Sequence, residues 1–152
     1  MKVAFDTSVL VAALHQAHPC HARAVVWLDA AGKGDLAGVV TLHALAEVWS
    51  VLTRVPLRPR LEPLQAHAIV ARLAARFEIL AADAPTYHQA IERCASRGLR
   101  SGAVFDALHL VAAEAAGVDA LITFNASDFE RLAVDSSPPI VVPPDPPAVH
   151  IR

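Results

Sequence analysis

The sequence predicts a three-layer α/β/α domain with a mostly parallel central sheet. Short apolar runs alternate with longer segments of helical periodicity along nearly the whole chain, which is typical of helices that connect parallel strands. The chain has 152 residues, of which 55% are hydrophobic and 18% are charged. This composition excludes a disordered chain, and a chain of this length can bury roughly two thirds of its unfolded surface. One domain with a sizeable core is therefore expected.

The first third of the chain reads as strand, helix, helix, strand and helix, at residues 2–6, 8–14, 22–31, 36–40 and 41–54. The second of these helices is expected to stop at Gly32 and Gly34, because glycine ends helices readily. The helix at 41–54 is apolar around most of its circumference, and Trp49 is assigned to its buried side. Its polar residues form one narrow stripe, which includes Glu47.

The rest of the chain reads as helix, strand, helix, helix, strand, helix and strand, at residues 62–77, 78–80, 84–97, 104–116, 120–123, 127–132 and 140–142. Gly98 and Gly117 follow two of these helices directly, as glycines at helix C-termini commonly do. Six of the eleven prolines lie between Pro138 and Pro147. We therefore predict one domain over residues 1–142 and a proline-rich, extended tail over residues 143–152.

Composition also restricts the classes of function. The net charge is −2, which argues against a chain that coats nucleic acid through a basic surface. Two cysteines exclude a disulfide framework, and the N-terminus carries Asp6 where the apolar part of a signal peptide would continue. No apolar run reaches the roughly 18 residues that a membrane span needs. A cytoplasmic protein with no membrane segment is expected.

Four carboxylates occupy positions where a ligand is expected. Asp6 closes the first strand and Asp128 follows another strand, so both lie at the edge where open α/β sheets bind ligands. Glu47 lies on the narrow polar stripe of its helix, and Asp106 lies in the first turn of a strongly apolar helix. Local roles remain open, because Asp6 and Asp128 can cap the helices that follow them and Glu47 can be solvated. A carboxylate among apolar neighbours, as at Asp106, is costly unless it is paired or metal-bound.

Four acids on one edge repel one another, and this repulsion raises their pKa values unless a cation neutralises them. Mg²⁺ and Mn²⁺ are the hard ions that carboxylate oxygens prefer. Such an ion activates water and stabilises charge on a phosphate, so the sequence predicts phosphodiester hydrolysis. Glycine-rich nucleotide-binding loops are absent from the sequence, which disfavours the nucleotide-binding classes.

The order and spacing of four motifs add a family resemblance. They are Phe5-Asp6-Thr7-Ser8, Glu47 in the third helix, Phe105-Asp106-Ala107-Leu108-His109-Leu110 in the sixth helix, and Thr123-Phe124-Asn125-Ala126-Ser127-Asp128-Phe129. With these motifs the chain resembles the PIN-domain ribonucleases, and particularly the VapC-type toxins of toxin-antitoxin pairs, over about residues 1–142. The resemblance implies an endoribonuclease that uses Mg²⁺ or Mn²⁺ to cut RNA, forms a homodimer and is inhibited by a small cognate antitoxin protein.

The same resemblance assigns roles to individual residues. Asp6, Glu47 and Asp106 are implied metal ligands, and Asp128 is the fourth and least uniform acid. Ser8 and Thr123 are implied to supply hydroxyls that bind the ligands or phosphate. Asn125 is implied to support the same edge.

Other interpretations stay open at this point. A DNA nuclease on the same scaffold would use the same acids, and a catalytically silent PIN-like module would bind RNA or protein. The presence of all four acids favours an active enzyme over the silent module. His15, His18, Cys20 and His21 match no standard structural zinc motif, so we predict a plain loop there. His109 is interpreted as a hydrogen-bonded helix histidine, with a contact to Asp106 or to substrate as the alternative.

Overall fold

A computed structural model describes residues 1–56 and 60–145, and the central sheet within them has five parallel strands. The strands are β1 (Lys2–Phe5), β2 (Ala37–Thr41), β3 (Glu78–Leu80), β4 (Ala120–Ile122) and β5 (Ile140–Val141). Their spatial order is β3-β2-β1-β4-β5. The register pairs Phe5 with Val40 on one side and with Ile122 on the other, so β1 lies in the middle of the sheet. The mostly parallel sheet that the sequence predicts is confirmed.

Seven helices connect the strands of the described chain. They are α1 (Thr7–Leu14), α2 (His21–Lys33), α3 (Leu42–Arg54), α4 (Pro63–Arg76), α5 (Ala84–Ser96), α6 (Ala103–Ala115) and α7 (Ala126–Glu130). Each predicted helix is present, with ends that differ by one or two residues. Among the described residues, none of these helices has the length and apolarity needed to cross a membrane.

Alternating side chains of the sheet separate the helices into two layers. Val3 and Phe5 point into a core formed with α1 to α4, whereas Ala4 between them points into a core formed with α5 to α7. This division follows from the two-residue period of a strand, which sends successive side chains to opposite faces. Val39 and Val40 of β2 divide between the same two cores. The result is the predicted three-layer α/β/α arrangement.

Two predicted details of the first half of the chain are wrong, the helix end at Gly32 and the burial of Trp49. Helix α2 continues through Gly32 to Lys33, and the predicted end at Gly34 is confirmed, since Gly34 ends the helix in the left-handed conformation with φ of 85°. The Arg76 guanidinium lies against Gly32, where a Cβ would come within 1.8 Å of it, so a larger residue there would require this flexible side chain to move. That guanidinium donates to the Leu28 carbonyl at 3.1 Å. Trp49 is 41% exposed, since it lies on the outer face of α3 near the start of α4.

The predicted proline-rich tail is described only in part. Residues 143–145 follow β5 without regular structure, and Arg23 of α2 donates to the carbonyl of Pro143. Residues 146–152 lie outside the described residues.

Candidate active site

A cavity of about 340 Å³ opens at the carboxyl edge of β1. The residues that line it are Asp6, Thr7, Ser8, Val11, His18, Glu47, Val51, Asp106, Phe124 and Asn125. The fold thus brings Asp6, Glu47 and Asp106 together from the end of β1, the middle of α3 and the first turn of α6. Ser8 and Asn125 lie with them, as the sequence predicts. Asp128 is not part of this lining.

Asp6 is held rigidly at the base of the cavity. Its side chain is 3% exposed and caps α1 through the backbone N–H of Ser8. One oxygen, Oδ2, accepts three hydrogen bonds, from the Ser8 hydroxyl at 2.5 Å, the Ser8 backbone at 3.3 Å and the Thr123 hydroxyl at 2.8 Å. Within the described part of the chain, no group donates to Oδ1. The cap and the functional role, which are alternatives at the sequence level, are therefore compatible.

Thr123 and Ser8 tie Asp6 to the end of β4. The Ser8 hydroxyl oxygen accepts from the backbone N–H of Phe124 at 3.0 Å, and the Thr123 hydroxyl oxygen accepts from the backbone N–H of Asn125 at 2.9 Å. Thr123 is fully buried, so its hydroxyl positions the carboxylate from behind the cavity. Asn125 contributes to this linkage through its backbone, while the residue itself lines the cavity.

Glu47 is held by donors on two neighbouring helices. Its Oε2 accepts from the Thr7 hydroxyl at 2.7 Å and lies 2.6 Å from His109 Nε2. Burial raises the pKa of Glu47, but the hydrogen bonds from His109 and Thr7 and the charge of the imidazole outweigh it, so the pKa lies below its ordinary value. Glu47 is therefore a charged, oriented acceptor at neutral pH.

His109 joins Glu47 to the start of α3. The ring is 2% exposed, and its Nδ1 lies 2.6 Å from the Thr41 hydroxyl. Thr41 is the N-cap of α3 and accepts from the backbone N–H of Ala44. The interpretation of His109 as a hydrogen-bonded helix histidine is thus correct, with Glu47 as its carboxylate partner. Its buried polar character in an apolar helix was the available signal, whereas its pairing required the tertiary structure.

Asp106 differs from Glu47, because its pKa lies above its ordinary value. Burial is the largest cause of a pKa raised to about 6, and the negative charges of Asp6, Asp128 and Glu47 raise it further against the opposing effect of His109. Among the described residues, no hydrogen-bond donor contacts this carboxylate. Asp106 is the acid whose charge the surrounding groups compensate least.

Asp128 lies at the periphery of this group. Its side chain is 50% exposed and lies 3.6 Å from the side chain of Arg131, the residue that follows α7. Its charge still contributes to the raised pKa of Asp106. The residue therefore influences the cavity electrostatically from outside its lining.

The donor set allows a test of whether a divalent cation fits. In the ranges 1–56 and 60–145, no three His, Cys, Asp or Glu side chains are close enough to form a complete protein cage for a metal ion. Mg²⁺ does not need one, because it commonly keeps several waters and binds one or two carboxylates. Asp6 and Asp106 supply hard oxygen donors on one cavity, and a cation between them would relieve the repulsion that raises the pKa of Asp106. These two residues fit such an ion.

Comparison with known proteins identifies the family. The family described as "PIN domain" matches residues 3–135, a range that contains all four acids. The chain belongs to the PIN domain family. Among PIN relatives, Ribonuclease VapC40 of Mycobacterium tuberculosis is 36% identical over 137 residues, which cover 88% of this chain and 96% of that protein.

Solved structures share the PIN fold at lower sequence identity. The crystal structure of VapC20 of Mycobacterium tuberculosis, described as a sarcin-ricin loop cleaving toxin, has a TM-score of 0.68 at 22% identity and covers 90% of this chain and 99% of that one. A toxin-antitoxin complex from Klebsiella pneumoniae contains a chain with a TM-score of 0.62 at 20% identity, covering 94% of this chain and 98% of that one. These two similarities establish the fold alone.

Proposed function

We propose that this PIN domain protein is an endoribonuclease that depends on Mg²⁺ or Mn²⁺ and acts as the toxin of a VapBC-type toxin-antitoxin pair. One observation carries the proposal: Asp6 and Asp106 line the same cavity, and the pKa of Asp106 is raised to about 6 by burial and by neighbouring carboxylates. The identity to a relative named a ribonuclease over most of both chains supports RNA as the substrate class.

The residues of the cavity have two proposed roles: some hold the cation, and others orient the residues that hold it. Asp6 and Asp106 are the proposed ligands, with Glu47 completing the site and Asp128 adding its negative charge from outside the lining. A bound ion supplies Lewis-acid chemistry, lowering the pKa of water and stabilising negative charge on the phosphate and leaving oxygen. Ser8 and Thr123 fix Oδ2 of Asp6, which leaves Oδ1 without a donor from the described chain. Glu47 stays charged because Thr7 and His109 hydrogen-bond to it.

The partners belong to the same proposal. The VapC-type resemblance supports a homodimer and a small cognate antitoxin that covers the acidic cavity, with the cytoplasm as the place of action. The shared fold of the Klebsiella pneumoniae complex is compatible with a protein partner of this kind. A neighbouring reading frame that encodes a small DNA-binding protein is the observation that the antitoxin proposal predicts.

The proposal is tested with purified, antitoxin-free protein incubated with total RNA, or with DNA, in Mg²⁺, Mn²⁺ or EDTA. We expect discrete RNA cuts that require the divalent ion and disappear in Asp106→Asn. Asp29→Asn is the matched control, because Asp29 is an exposed aspartate of α2 outside the cavity and should leave cleavage unchanged. Cleavage of DNA alone would establish a DNA nuclease instead, and cleavage that persists in EDTA would exclude the metal mechanism.

A further inference from the structure

His18 is a cavity residue that the proposed roles do not use. It lies in the loop between α1 and α2, in the cluster of His15, His18, Cys20 and His21 for which the sequence predicts a plain loop; of these, His21 is already the first residue of α2. The structure gives the members of that cluster different surroundings: the His21 ring pairs with the Ala12 carbonyl at 2.9 Å, whereas His18 lines the cavity beside the acids.

One hydrogen bond determines which nitrogen of the neutral His18 ring carries the proton. The backbone N–H of Cys20 donates to Nδ1 at 3.1 Å. A nitrogen that accepts carries no proton, so the neutral ring holds its proton on Nε2 and can donate from there. Across residues 1–56 and 60–145, no group pairs with Nε2. The loop therefore holds an N–H donor, unpaired within the described chain, on a residue that lines the acidic cavity.

Such a donor is scarce in this cavity. The hydroxyl protons of Thr7 and Ser8 are already used, since they donate to Glu47 and Asp6. His18 and the Asn125 amide are the lining side chains with N–H groups left to donate. A phosphodiester that enters beside three carboxylates needs such donors, because its oxygens accept hydrogen bonds and are repelled by the acids.

We propose that the Nε2–H of His18 binds a phosphate oxygen of the nucleic acid substrate next to the acidic cavity. The inference rests on the proposed nuclease function and adds a substrate-binding residue to it. Its competitor is a purely structural role, in which His18 matters only because Nδ1 accepts the Cys20 N–H and shapes the turn before α2.

Two substitutions separate these roles. The Oδ1 of asparagine in His18→Asn takes the place of Nδ1 and keeps the turn, but no donor reaches the position of Nε2. The amide of glutamine in His18→Gln reaches the position of Nε2 but gives up the turn acceptor. His15→Gln is the matched control, because His15 belongs to the same loop and does not line the cavity.

The experiment measures the affinity for a fluorescein-labelled, single-stranded RNA of mixed sequence in EDTA, together with KM and kcat for RNA cleavage in Mn²⁺. We expect His18→Asn to weaken binding and raise KM roughly tenfold, as the loss of a hydrogen bond to a charged group predicts, at an unchanged unfolding temperature. His18→Gln should stay within about twofold of the wild type, because it retains that hydrogen bond.

The opposite pattern, with impaired His18→Gln and intact His18→Asn, overturns the inference in favour of the structural role. Wild-type affinity in both variants overturns it as well and leaves the nuclease proposal standing. If the wild type cuts only DNA, the proposed substrate class fails, and the same variants measured on a labelled DNA decide the role of His18. If the wild type neither binds nor cuts nucleic acid, both proposals fail.

Discussion

Glu47 and Asp106 line the same cavity and are both partly buried, yet their pKa values shift in opposite directions. Burial acts on both acids in the same direction, so it does not explain the difference. Glu47 receives hydrogen bonds from Thr7 and His109, whereas Asp106 faces the charges of Asp6, Asp128 and Glu47 without a donor from the described chain. Burial is the largest single cause at both acids, and the comparison teaches that the neighbouring groups decide whether the pKa of such an acid ends above or below its ordinary value.

This difference also separates the roles of the two sides of the cavity. On the α3 side, the negative charge of Glu47 is already compensated within the protein. Hydrogen bonds link Thr41 to His109 and His109 to Glu47. The α6 side lacks compensation, and a cation is what would supply it. The electrostatics thus favour Asp106, together with Asp6, as the principal seat of the ion.

The largest expected effect comes from removing the uncompensated charge. Asp106→Asn should lower RNA cleavage on the order of a hundredfold or more, because it removes a proposed ligand of the ion. Asp6→Asn should do the same. Initial cleavage rates check this, with circular dichroism as the control for folding. Wild-type turnover in a folded Asp106→Asn variant would remove this residue from the site.

His109→Leu removes the hydrogen bonds on the α3 side of the cavity. Glu47 and the buried Thr41 then lose their shared partner. We expect the free energy of unfolding to fall by about 1–3 kcal/mol, the usual cost of unsatisfied buried polar groups. Urea unfolding measures the loss, and His15→Leu in the α1–α2 loop is the control. Unchanged stability of His109→Leu would mean that the pairing contributes nothing to folding.

The two acids should also give opposite pH dependences of stability. The pKa of Asp106 in the folded state is about 6, above its unfolded value, so its charge destabilises the metal-free protein at neutral pH. That penalty disappears as the pH falls from about 6 to below about 4, where both states are protonated. Asp106→Asn should therefore be more stable than the wild type at about pH 7.5, with the difference closing in acid.

Glu47 should change stability with pH in the opposite direction to Asp106. Its folded pKa is lowered, so it contributes stability above its unfolded pKa and loses that contribution as the pH falls through the folded value. Glu47→Gln should thus lose stability relative to the wild type at neutral pH, and the gap should close in acid. Thermal unfolding of both variants across this range provides the comparison, and parallel curves would refute it.

The smallest effect is expected at Asp128. Its side chain is half exposed and lies outside the cavity lining, so its charge acts through screened electrostatics. Asp128→Asn should reduce cleavage by less than about fivefold. A loss as large as that of Asp106→Asn, measured as the initial rate on the same RNA, would make Asp128 a direct ligand.

The sequence predicts the fold from its periodicities and places Asp6 at the edge where parallel strands end. Glu47 and Asp106 are instead indicated by the polar stripe of α3, by the apolar neighbours of Asp106 and by the family resemblance. The position of Asp128 shows where the strand-edge argument stops, because this residue follows a strand at the correct edge and yet lies outside the cavity lining with a half-exposed side chain. The pairing of His109 with Glu47 joins residues 62 positions apart, and only the packing of α3 against α6 brings them together. The sequence predicts a loop at His18, but no local sequence pattern indicates that this loop lines the cavity.

Cation binding tests the account most directly, through calorimetric titration of the metal-free protein with Mn²⁺. The wild type should bind the ion, and Asp6→Asn and Asp106→Asn should abolish binding. Glu47→Gln should only weaken it, because Glu47 is already paired within the protein. Asp29→Asn serves as the control with unchanged binding. Wild-type affinity in Asp106→Asn together with complete loss in Glu47→Gln would contradict the account and move the ion to the α3 side of the cavity.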